Sequence, residues 1–92
     1  MEKLQKLELM DKILRELDDL KNSQTAVLKK VAQIEADNIN LGVGLLEKKL
    51  PHLHEEVDSG IEIVTTLLQE FQEHRDKFFV DNKLATLLDP TA

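Results

Sequence analysis

Three histidines and two adjacent carboxylates are the residues here whose types could do chemistry: His52-Leu53-His54 followed by Glu55 and Glu56, with His74 further on. Imidazoles and carboxylates bind zinc, but zinc needs ligands converging from one side, which on a helix means spacings of three or four. His52 and His54 are two apart, so on a helix they diverge by about 200°. Only an extended segment, or ligands from another chain, would let them converge. The spacing predicts solvated polar residues at a helix start, with no metal.

The remaining chemistry-bearing patterns are weaker. Leu41-Gly42-Val43-Gly44-Leu45 lacks the third glycine of a dinucleotide fingerprint and follows a helical pattern where that motif needs a strand. It predicts a turn. The carboxylates fall on polar helix faces, and a pair of helices offers little concavity for a substrate. The expectation is a protein that is not an enzyme and binds no cofactor.

What must position these residues is a set of long helices. The 92 residues contain three phenylalanines, no tryptophan, no tyrosine and no cysteine, and a third are charged. That is the composition of solvated helices, and it excludes disulfides and thiolate zinc sites. No apolar run is long enough to span a bilayer, and the first residues lack a signal-peptide apolar region. No membrane association is expected, and a cytoplasmic setting is the default. Residues 1–50 carry nine basic and nine acidic side chains, whereas residues 51–92 carry three and nine. The whole net charge of −6 therefore lies in the second half, which repels phosphate backbones; no nucleic-acid partner is expected.

From Met10 to Leu45 the apolar residues follow a heptad. One row reads Met10, Leu17, Gln24, Val31, Asn38, Leu45; the other reads Ile13, Leu20, Val27, Ile34, Leu41. Five heptads of this kind are a coiled-coil signature, and Leu14 and Leu28 widen the stripe toward a bundle. Gly42, Gly44 and Pro51 then break the pattern. A second amphipathic stretch reads Leu53, Val57, Ile61, Val64, Leu68, Phe71, Phe78. Gly60 interrupts it, and Ser59 with Glu62 would fit a capping box, but the apolar register runs through. Asp81 or Asn82 could cap a short third helix that Pro90 ends.

Two amides sit on the seam. Gln24 and Asn38 occupy positions otherwise aliphatic, where an amide costs stability but can fix register. Asn38 could equally announce the turn at Gly42. Near the end, Leu84, Leu87 and Leu88 fit a Leu-x-x-Leu-Leu pattern by which short helices dock into partner grooves. The string Leu84 to Pro90 is also similar to a stretch near the C-terminal domain of hAT-type transposases. That family places an Arg and an aromatic after the proline, where this chain has Thr91 and Ala92, and its catalytic acidic positions cannot be placed here. No family is assigned.

The sequence therefore predicts one all-α domain: helix 2–41, turn 42–51, helix 52–80 and a short helix 82–88. A small chain without disulfides or metal is expected to find its stability in oligomerisation. The expected assembly is a homodimer or higher, with two hairpins forming an antiparallel four-helix bundle. A parallel coiled coil through residues 10–45 is the alternative. The expected function is an oligomerisation or adaptor module with a helical protein partner. The alternative is a small regulator docking through its C-terminal leucines.

Overall fold

The computed structural model describes residues 1–88; Pro90, expected to end the third helix, lies outside them. Helix α1 spans Lys3–Leu41, α2 Gly44–Asp81 and α3 Ala85–Leu88, with no strand among the described residues. The two long helices form an antiparallel hairpin with extents of 67 × 21 × 16 Å. The all-α hairpin with a short C-terminal helix is thus the fold.

The turn is tighter than the glycine and proline pattern predicts. It consists of Gly42 and Val43 alone, and α2 starts at Gly44. Gly42 takes φ 70°, the left-handed conformation that ends a helix, and its N–H donates to the Asn38 carbonyl at 2.7 Å. The expected turn to residue 51 is corrected: Pro51 lies inside α2. An interior proline costs about 3 kcal/mol, through a lost hydrogen bond and a ring clash. Leu46 and Leu50, one turn apart, offset this by packing the first turns of α2 against α1, and Leu50 is buried. The helix break at Gly42 also rules out one continuous coil through residue 45. Leu45 belongs to α2 and is exposed, so the first heptad row ends at Asn38.

The face between the helices repeats every seven residues on both sides. On α1 it comprises Leu7, Leu14 and Leu28 in one row and Met10, Leu17, Gln24, Val31 and Asn38 in the other. On α2 it comprises Leu50, Val57, Val64, Phe71 and Phe78, with His54, Ile61, Leu68 and Arg75 beside them. Two polar pairs cross this face and hold the helices in register. Arg75 Nε donates to Asp11 Oδ1 at 2.8 Å near the open end, and His54 Nδ1 lies 2.6 Å from Glu35 Oε1 near the turn. The Asp11 carboxylate, hydrogen-bonded to Arg75, raises the guanidinium further above its already high range. Arg75 also lies over the Phe79 ring, 5.2 Å from its centre.

The end of α2 is closed by a residue the sequence does not advertise. Lys83 adopts φ 52°. Its N–H donates to Val80 O, and the Leu84 N–H reaches back to Phe79 O, which is the Schellman arrangement. The chain thereby turns inward and buries Leu84 completely. Asn82, expected to cap the third helix, instead closes the second: its side chain donates to Phe78 O at 2.9 Å. The short helix consequently begins at Ala85, three residues later than expected. These two left-handed residues respond oppositely to substitution. Gly42→Ala should lower stability by about 1 kcal/mol, and Lys83→Gly should raise it by about 0.5–1 kcal/mol. Urea denaturation of both variants checks the signs.

Candidate assembly surface

The two amides of the seam have different jobs. Asn38 is buried, and its carboxamide clamps the turn: Nδ2 donates to Val43 O at 3.1 Å and Oδ1 accepts from Val43 N–H at 2.9 Å. Gln24 lies at mid-hairpin over Gly60, where a Cβ would stand 3.3 Å from Gln24 Nε2. α2 runs through Gly60 without a break, and what approaches closely is this side chain. Gln24 Oε1 is buried with no hydrogen-bond partner among the described residues. Leaving such an oxygen unpaired costs about 1–3 kcal/mol. Gln24→Leu should therefore raise stability by an amount of that order; a thermal melt no higher than that of the unaltered chain contradicts it.

The histidines do not converge. His52 is exposed beside Glu56 on its own helix, His54 pairs with Glu35, and His74 stacks on Phe71 at 6.1 Å. Among the described residues no three His, Asp or Glu side chains form a metal-binding group. Zinc at saturating concentration should leave the melting temperature unchanged. A bound ligand at one hundred times its dissociation constant would stabilise the fold by about 2.7 kcal/mol, easily seen in a melt.

The two heptad rows of α1 part company. The Met10 row packs against α2, whereas Ile13, Leu20, Val27, Ile34 and Leu41 are 37–68 % exposed. On α2, Leu53 and Leu67 are likewise exposed. The placement of these rows follows from the grooves along the hairpin. Asp18 and Gln72 line one groove, and Ile39 and Pro51 line another nearer the turn. Asp18 and Ile39 belong to one row flanking the packed face of α1, and Pro51 and Gln72 to one such row of α2. These two rows share one side of the hairpin. Each helix has one other flanking row, so the remaining two share the opposite side: the exposed aliphatic row of α1, and Leu53, Gly60, Leu67 and His74 of α2. One side of the molecule thus carries the exposed aliphatic row of α1 beside Leu53 and Leu67 of α2.

No known protein family, curated protein or solved structure matches this chain. The reading of the surface rests on its own chemistry.

The C-terminal leucines are divided by the fold. Leu84 is 0 % exposed and Leu87 is 56 % exposed, while the side chain of Leu88 lies outside the described residues. The sequence marks the aliphatic row and the seam amides. It does not distinguish the row that α2 covers from the row that it leaves open. That distinction needs the α2 register, which His54 and Arg75 set through partners on α1. No helix among the described residues is long and apolar enough to cross a membrane.

Proposed function

We propose that this chain is a non-enzymatic helical assembly module that works by joining its apolar side to the helices of a protein partner. The carrying observation is the placement of the exposed aliphatic row of α1 on the same side of the hairpin as the exposed Leu53 and Leu67 of α2. A hairpin is a single layer, and stable domains need a second layer to cover the apolar side of the first. A second copy of the hairpin supplies that layer as an antiparallel four-helix bundle. The module can then act as an adaptor, holding whatever is attached to each copy together. The burial of Leu84 weighs against docking through the C-terminal leucines, because one of the three would have to be pulled from the core.

A melt repeated over a hundredfold range of protein concentration tests the reading. Association of folded chains makes the melting temperature rise with concentration. A melting temperature independent of concentration would remove the basis for an assembly role.

A further inference from the structure

We propose that the partner on the apolar side is a second copy of this chain lying turn beside turn, related by a two-fold axis along the length of the hairpin. This rests on the assembly reading above and adds the orientation of the second copy.

The exposed area points to an occupant of this size. The chain exposes 6951 Å², whereas a compact monomer of its mass exposes about 5,400 Å². Its radius of gyration is 20.2 Å, against about 12 Å for a compact chain of this length. The excess, roughly 1,500 Å², exceeds the roughly 800 Å² that each partner contributes to a standard interface. A short peptide would not cover it; a hairpin of equal length would.

The orientation follows from which residues are level along the hairpin. Asp11 is level with Arg75, Gln24 with Gly60, and Glu35 with His54. A lengthwise two-fold keeps every residue at its own level and sets α1 against α2 of the partner, so the register cannot slide. Counting from those contacts, Val27 then faces the partner's Gly60. On the rim, Lys30 faces the partner's Glu56 and Asp37 faces the partner's Lys49. Glu16 opposite the partner's Glu70 is the one unfavourable pair.

A two-fold running crosswise, with turns at opposite ends, sets α1 against α1 and α2 against α2. Centred on the apolar rows, it places Val27 against Val27 and Gly60 against Gly60. On the rim of that arrangement Glu16 meets the partner's Asp37, and Lys49 meets the partner's Glu70. The lengthwise axis gives two attractive rim pairs against one repulsive, and the crosswise axis one of each, so charge favours the lengthwise axis.

A nitroxide on Asn40→Cys, an exposed position beside the turn, separates the arrangements by dipolar spectroscopy. With turns together, the two labels should lie within about 35 Å, a few helix diameters. With turns opposed, the labels fall on opposite sides of the axis at Val27, about thirteen residues from it at 1.5 Å each, and exceed about 39 Å. Sedimentation of the same labelled sample gives its mass. A dimer with the short distance is the expected result. A dimer with the long distance overturns the orientation and leaves the assembly reading standing, whereas a monomer without dipolar signal overturns both.

Discussion

The double substitution Val27→Glu with Ile34→Glu should convert the assembly into helical monomers, weakening association more than a hundredfold. Both side chains belong to the exposed aliphatic row and lie outside the face that α1 shares with α2. In a free hairpin the new carboxylates stay in water, so helicity by circular dichroism should be retained. In a dimer each would lie against the partner's apolar side. Full burial of one aliphatic side chain contributes about 1.5–3 kcal/mol, and a desolvated carboxylate opposes association further. A loss of only 2.7 kcal/mol is already a hundredfold, and four sites are altered in every dimer. Lys29→Glu, on the solvated face, is the control and should change nothing. Undiminished association of the double variant would place the contact elsewhere.

Leu84→Ala should destabilise the fold by about 2–5 kcal/mol, while Leu87→Ala stays within about 0.5 kcal/mol. Leu84 is wholly buried where the chain turns back at Lys83, and its truncation leaves a cavity at the open end of the hairpin. Leu87 is mostly exposed. Chemical denaturation of the two variants compares them directly. A docking tail would give a different pattern: both leucines would tolerate alanine in the free protein, and both would matter only for a partner. The contrast therefore separates the assembly reading from the regulatory one.

Much of this architecture is legible in the sequence, for identifiable reasons. The heptads over residues 10–41 mark α1, and Gly42 marks its end because only glycine takes the left-handed conformation without strain. Pro51 misleads, since its intrinsic cost is local while the packing of Leu46 and Leu50 that outweighs it is tertiary. Lys83 carries no signal, because a lysine in that conformation is held there by the burial of Leu84. The two seam amides look alike in the sequence. The structure separates them, since Asn38 has the turn backbone within reach and Gln24 has only the bare side of Gly60. The division of the aliphatic rows is the part that sequence periodicity could not give. Two rows a few residues apart have the same spacing, and the α2 register alone decides which is covered.

Sedimentation equilibrium of the unaltered chain at micromolar concentration decides whether the hairpin self-associates. Cooperative association through the apolar side predicts a single species at twice the 10.5 kDa chain mass. A homogeneous species at 10.5 kDa, with full helicity and no tendency to associate on concentration, would contradict it.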